Sequence, residues 1–211
     1  METYTPNNLI AGNDFPAIQK AITLLAGLVY LVGTVLGAIT RELGAVVAGG
    51  GNAGDGVVNG IAMGKATQLG NYVLTCIEAV ADGGVFSVVA PDGTRLADAV
   101  VGVAYANDQI AFTINDGAAD FIVGDTFTIP VTEPAEMKFT IVDKTAVDGS
   151  ADPKHILSVD VDASEADAAG PAYETGVFNP DALVLADGTT VDDVENALRQ
   201  RSIFFRAVRA L

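Results

Sequence analysis

The most regular feature of the chain is an alternation of apolar and polar residues between about 52 and 131. In Gln109 to Asn115 the residues Ile110, Phe112 and Ile114 fall on one face, and in Asp125 to Val131 the residues Phe127, Ile129 and Val131 do the same. A period of two is what a half-buried strand produces, because successive side chains leave a pleated backbone on opposite sides. Tyr72 to Ile77, Val85 to Val89 and Val100 to Tyr105 are rich in β-branched and aromatic residues and predict further strands. Asp-Gly pairs at Asp55-Gly56, Asp82-Gly83, Asp92-Gly93, Asp116-Gly117, Asp148-Gly149 and Asp187-Gly188 punctuate the chain, and this dipeptide supplies the positive φ angles of tight turns. Together these signals predict a small antiparallel sandwich or barrel over roughly 52–131. Gly49, Gly50 and Gly51 read as a flexible link within a boundary at Gly44 to Gly56, and a second boundary falls near Pro130 to Pro134.

Residues Ala21 to Ile39 behave differently: nineteen positions pass without a charge, long enough for a membrane-spanning helix. The texture argues against one. Gly27, Gly33 and Gly37 interrupt the run, and its Val, Ile and Thr residues favour extended chain over helix. Lys20 and Arg41 bracket it with one charge each, so no positive-inside signal is present. Met1 to Ile10 has no basic segment of the kind that opens a signal peptide. The expectation is therefore buried β-structure and no membrane partner.

One helix is predicted near the C-terminus. Thr190 can cap it, Asp192 and Asp193 suit its positive N-terminal end, and Arg199 and Arg201 suit the other. Val191, Val194, Leu198 and Ile203 follow helical spacing and mark the buried face. The four arginines beyond Asn196 are thus read as a helix obeying its dipole rather than as an anion-binding patch.

Charge narrows the partners. Of 211 residues 27 are acidic and 11 basic, a net charge of −16 that repels phosphate and excludes a general nucleic-acid partner, while 50% hydrophobic residues suffice for a core. Candidate chemistry is thin. Cys76 is the sole cysteine and His155 the sole histidine, read as a packed thiol and a surface imidazole rather than as nucleophile and base. Asp160, Asp162, Glu165 and Asp167 form the densest acidic cluster, but the loop lacks the central glycine and distal glutamate of an EF-hand, and it reads as solvated surface. Gly49 to Gly54 lacks the Lys-Ser/Thr ending of a phosphate loop. The expectation is no catalytic residue, no metal and no cofactor.

The flanks carry a family resemblance. Leu9-Ile-Ala-Gly-Asn-Asp-Phe-Pro16, Gly33-Thr-Val-Leu-Gly-Ala-Ile-Thr40, Asp160 to Ser164, Ala172 to Asn179, Ala182-Leu-Val and the closing Leu198 to Phe205 helix resemble lambda-type tailed-phage head decoration proteins. The middle, Gly51 to Val131, looks like a module carried by decoration and related virion proteins. The resemblance implies a mainly β (β-rich α+β) chain: a discontinuous decoration core of residues 1–43 and 133–211 with a C-terminal helix, and an inserted antiparallel β-sandwich or barrel lobe, 44–132. It implies a structural, non-enzymatic protein that is made in the host cytoplasm and sits on the exterior of the capsid. There it would cement the major capsid protein as a homo-oligomer, usually a trimer, with a dimer as the alternative. It further implies a flexible arm, residues 1–13, that orders on the capsid, with Thr3, Tyr4, Thr5 and Leu9 as contacts. A competing reading makes the inserted lobe a carbohydrate-binding adhesin that holds host glycans with exposed Tyr72, Tyr105 or nearby loops. A hydrolase built on a carboxylate pair ranks last.

Overall fold

The computed structural model describes residues 8–208, and the chain divides into two compact units, one running to Thr40 and resuming at Ala135, the other spanning Arg41–Pro134. Both are mainly β, and among the described residues one α-helix occurs.

The discontinuous unit is built on a closed five-stranded barrel, in the order Phe139–Ile141, Gln19–Leu24, Ala168–Tyr173, Pro153–Leu157 and Val35–Ala38. All neighbours are antiparallel except the closing pair, where Phe139 alone meets Leu24 in parallel. Ile22, Leu24, Leu36, Phe139, Leu157 and Ala172 fill one core, and Val35, Ile156, Val142, Phe178, Val194, Leu198 and Ile203 fill a second. Adjacent residues on two strands therefore face different cores: Val35 and Ile156 one way, Leu36 and Leu157 the other. Strands buried on both faces read as continuous apolar runs rather than as alternation. This explains the charge-free stretch Ala21 to Ile39, which folds as parts of three strands joined by turns with Gly27 and Gly33 at positive φ. Among the described residues no helix is long and apolar enough to cross a membrane.

Two smaller sheets complete this unit. Leu28–Tyr30 pairs with Val161–Ala163, and Gly176–Phe178 lies between Ile10–Gly12 and Ile203–Phe205. The helix is Val191–Arg199, shorter than the predicted segment through Phe205. Its start agrees with the sequence signal: the Asp193 carboxylate accepts from the Thr190 N–H and hydroxyl, both at 2.8 Å. After Arg199 the chain turns through Ser202 in the left-handed region, and Ile203 enters a strand. Ile203 nevertheless packs with Val194 and Leu198, which is why its spacing mimicked a further helical turn.

In the continuous unit two sheets enclose one core. The larger runs Ala99–Val100, Gly83–Val89, Gly70–Val80, Thr126–Thr132, Glu42–Leu43, with Val47–Ala48 also on Thr126–Thr132; the smaller runs Tyr105–Ala106, Ile110–Asn115, Val57–Met63. Phe86, Phe121 and Phe127 meet at ring separations of 5.0–5.9 Å, and Tyr105 stacks on Phe112 at 4.6 Å. The alternating strands predicted from Gln109 and Asp125 bury the expected faces. Val100 to Tyr105 is not one strand. A turn with Gly102 at positive φ carries the chain from one sheet to the other, leaving Ala99–Val100 and Tyr105–Ala106 as its two ends. The unit's ends are paired: Leu43 with Val131 and Glu42 with Thr132.

Gly37 lies in the two-faced strand, where a Cβ would overlap the Ser150 carbonyl oxygen and backbone, whereas a Cβ on Gly50 meets nothing within 4 Å. Gly37→Ala is expected to cost about 3 kcal/mol as an overpacked core site. Gly50→Ala should stay within about 0.5 kcal/mol of the parent, as an open surface site does. Urea denaturation of the two variants separates the cases.

Candidate functional site

The N-terminal arm has a firm root. Ile10 and Gly12 pair with Phe178 and Val177, and the Asn179 N–H donates to the Leu9 carbonyl at 2.8 Å. Arg206 forms an ion pair with Asp14 at 2.5 Å, and Phe15 meets Phe204 edge-on at 5.3 Å. Leu9 is 2% exposed and belongs to the core of Phe178, Leu198 and Ile203. The family resemblance implies it as a contact for a partner; in this fold its side chain packs in the protein's own core. The other expected contacts, Thr3, Tyr4 and Thr5, lie outside the described residues.

Exposed apolar residues gather elsewhere on the same unit. Leu28, Val29 and Leu31 are exposed on and beside one strand of the two-stranded sheet, as is Val159 just before its partner strand. Val29 is 57% exposed. Isolated exposed valines are ordinary; Leu28 and Val29 leave the strand on opposite faces, and Val29 lies opposite Asp162 of the partner strand.

No catalytic pairing forms. Cys76 lies in the core of the continuous unit, with its thiol pushed up in pKa by burial and by Asp125. His155 belongs to the other unit and is partly buried rather than a surface imidazole: its Nδ1 is buried with no hydrogen-bond partner, and its ring packs 5.1 Å from Phe139. Burial, then Lys20, hold its pKa below the usual histidine value.

The dense acidic cluster is dispersed by its own hydrogen bonds. Asp160 accepts from the Val32 N–H at 2.6 Å, Asp162 from the Ser164 N–H and hydroxyl, and Asp167 from the Ala26 N–H at 2.8 Å while pairing with Lys138 at 2.6 Å. Ser164 lowers the Asp162 pKa and Lys138 that of Asp167. These carboxylates fix turns and converge on no common point. A grouping the sequence did not suggest is Asp82, Asp116 and Asp120, whose carboxylates lie within 4.8 Å of one another. Its members are separated along the chain, so only the fold brings them together. Asp120 is engaged by the Asp82 N–H at 2.9 Å, and two of the three residues are exposed.

The glycine run Gly49 to Gly51 is no free link. The Asn52 side chain imitates a strand neighbour of Thr126, donating to its carbonyl and accepting from its N–H, both at 2.8 Å. Asp125, 2% exposed, accepts from the N–H groups of Ala53 and Gly54 at 2.9 Å and of Ile122 at 3.1 Å. Burial alone would raise the Asp125 carboxyl, but these three donors outweigh it and hold the pKa below the ordinary value.

The expectation of exposed Tyr72 or Tyr105 as a sugar platform is corrected. Tyr72 is 0% exposed, its hydroxyl accepting from the Gln68 N–H and donating to Gln109, both at 2.9 Å. Tyr105 is 9% exposed and stacked on Phe112. Among the described residues the aromatic side chains of the continuous unit are all buried, and Phe15, Tyr173, Phe204 and Phe205 of the other unit are half-buried. The alternation that placed both tyrosines in strands did not show which face each would take.

The family model for bacteriophage lambda head decoration protein D matches residues 1–204. The chain belongs to this family. It is thereby a structural protein of the phage capsid, from a family not known for enzymes. No curated protein matches the chain. Two crystal forms of Xanthomonas campestris FlgL are similar at 15% identity and a TM-score of 0.32, covering 51% and 49% of this chain and 33% of theirs. The chain thus spans about a third of the length of that protein.

Asp125→Asn in this head decoration protein removes one charged acceptor oxygen from a set of three N–H donors, of which that of Gly54 is buried and those of Ala53 and Ile122 part-buried, and is expected to cost about 2 kcal/mol. The clamp's charge-linked stability is present above the ordinary carboxyl pKa and is lost as pH falls through the lower native value. Denaturation midpoints of parent and variant should therefore converge in acid.

Proposed function

We propose that the protein cements the expanded capsid from its outer face, binding major capsid protein subunits as a homo-oligomer, with a trimer as the expected form. The observation that carries this reading is the family match over residues 1–204. Any protein that binds the expanded lattice and not its precursor stabilises the expanded state by mass action, and several sites joined in one oligomer add avidity without new chemistry. The rooted arm supports the reading. Its strand ends at Ile10, so the preceding residues are delivered from a fixed point, and Thr3, Tyr4 and Thr5 are proposed to add as a strand to the capsid protein. Because Leu9 to Gly12 are structural, the contact segment is confined to residues before them.

The exposed sheet of Leu28, Val29 and Leu31 is the proposed apolar part of the same interface. Residues 44–132 are proposed to be an inserted module, a view supported by the pairing of Glu42–Leu43 with Val131–Thr132, which returns the chain to the point where it left. Ala38 and Phe139, on either side of the insertion, are themselves paired. A hairpin turn would replace everything between.

Three variants mixed with purified expanded capsids test the reading. Deleting residues 2–7 should abolish saturable binding while leaving the denaturation midpoint unchanged; unchanged occupancy would remove the arm from the interface. Val29→Glu together with Leu31→Glu should weaken binding at least tenfold, the factor that about 1.4 kcal/mol supplies. Replacing residues 41–134 by a short Asn-Gly turn should leave a folded core that still binds.

A further inference from the structure

His155 stands where the barrel closes. The closing strand Phe139–Ile141 holds one neighbour by three residue pairs, Phe139 with Ala38, Thr140 with Gly37 and Ile141 with Leu36, but holds the other by the single pair Phe139 and Leu24. The Leu25 N–H donates to the Phe139 carbonyl at 2.9 Å beside that pair. Phe139 is thus the narrowest link of the ring, and the imidazole of His155 packs on its side chain with ring centres 5.1 Å apart. His155 sits on Pro153–Leu157 just after a register irregularity against Val35–Ala38, so its strand is already displaced there.

The surroundings disfavour the protonated ring at Nδ1, although a hydrogen bond to the Tyr173 backbone acts in the other direction. Nδ1 is buried without a partner. A neutral imidazole can leave a bare lone pair at that atom at modest cost. An imidazolium must place an N–H there with no acceptor, and an unmet buried donor on a charged ring is far more costly. The Phe139 ring attracts a cation weakly but accepts no such hydrogen bond well. Charges facing the ring reinforce this. Lys20, from Gln19–Leu24, and Arg201, beyond the helix, both oppose a positive imidazole; Glu174, following Ala168–Tyr173, favours it, but Glu174 is shared with Lys20 at 3.3 Å. Asp152, on the His155 side of the barrel, is shared by Arg201 and Lys154. The helix packed on the same strand carries Asp192, Asp193, Glu195 and Arg199, of which Asp193 pairs with Lys144 and Glu195 with Arg199. The strands Val35–Ala38 and Phe139–Ile141 carry no charged residue.

We propose that His155 is an acid-sensitive latch on the barrel of the decoration core, holding the Phe139 closure while neutral and loosening it when protonated. The latch belongs to the core and is independent of what the core docks on. Its direction follows from linkage. The native pKa lies below the ordinary value of about 6.5, so the unfolded or opened chain takes the proton first. The stabilisation is complete above about 6.5 and is lost as pH falls through the native value. The continuous unit, which contains no histidine, lacks this response.

Hydrogen exchange of the full chain by NMR at pH 7.5 and 5.0, on the parent, His155→Gln and His155→Phe, tests the latch. Protection factors at the Leu25 amide report the closure, and those at Ile129 in the other unit serve as the internal reference. In the parent, the ratio of Leu25 to Ile129 protection should fall in acid by about tenfold for each unit by which the histidine pKa is displaced. In both variants the ratio should be independent of pH. The glutamine variant keeps a polar neutral side chain, so the test survives misfolding of the phenylalanine variant. An equal fall in the ratio for the parent and the glutamine variant, or no fall in the parent, would overturn the proposal.

Discussion

The discontinuous unit depends on one constraint: two neighbouring strands must be buried on both faces. Val35 and Ile156 look into the core shared with the helix, and Leu36 and Leu157 look into the barrel. Burying a side chain of this size is worth about 1.5–3 kcal/mol, and here both faces contribute within the same few residues. Neither layer is complete without the other. The helix has only Val194 and Leu198 buried, too little apolar surface to hold a nine-residue helix unaided, and it forms because the outer face of this strand pair is there to receive it. The same face receives Leu9, so the root of the arm is fixed by the packing that fixes the helix.

The proposed insertion rests on a different property of β-structure. A chain can leave a hairpin and return to it at little cost when the guest's ends are adjacent, because the host then sees only a turn. Here Ala38 and Phe139 remain paired in the host, while Leu43 and Val131 are paired in the guest. The host closure is nonetheless made late in sequence, by strands more than a hundred residues apart, so it must wait for a non-local contact with a substantial loop-closure penalty. A guest that folds by itself shortens that loop in effect. The clamps by Asn52 and Asp125 serve this end: they turn a glycine-rich stretch, which would otherwise add flexibility near the guest's entry, into a fixed turn.

How much of this was readable in the chain follows from the range of the forces involved. Strands such as Ile110–Asn115 and Thr126–Thr132 were legible because one face meets the core and the other does not, which writes a period of two into the sequence. The helix start was legible because capping is local, through Thr190 and Asp193. Its end was not, since Ile203 reaches the same core from a strand and spacing alone does not distinguish the two paths. The burial of Leu9 and Tyr72 was not legible for a related reason. Both lie beside polar residues, and their burial is decided by partners far along the chain, Phe178 for one and Gln109 for the other. The grouping of Asp82, Asp116 and Asp120, and the contact of His155 with Phe139, exist only once the sheets are assembled.

The acidity of the chain takes its meaning from the same assembly. A net charge of −16 suggests a surface adapted to some cationic partner, yet many of these carboxylates already have employment within the fold. Asp92, Asp143, Asp148 and Asp162 each accept from the N–H two residues ahead, while Asp55, Asp125, Asp160 and Asp167 accept from N–H groups on distant segments. A mainly β chain with many short strands has many turns, and aspartate is among the few side chains able to satisfy a turn's backbone donors. The sequence is therefore acidic in part because it is rich in turns. Charge of this origin is spread wherever the chain reverses rather than gathered into a footprint, and it reaches even the sheet of Leu28 and Val29, where Asp162 lies opposite Val29 and turns its carboxylate onto Ser164.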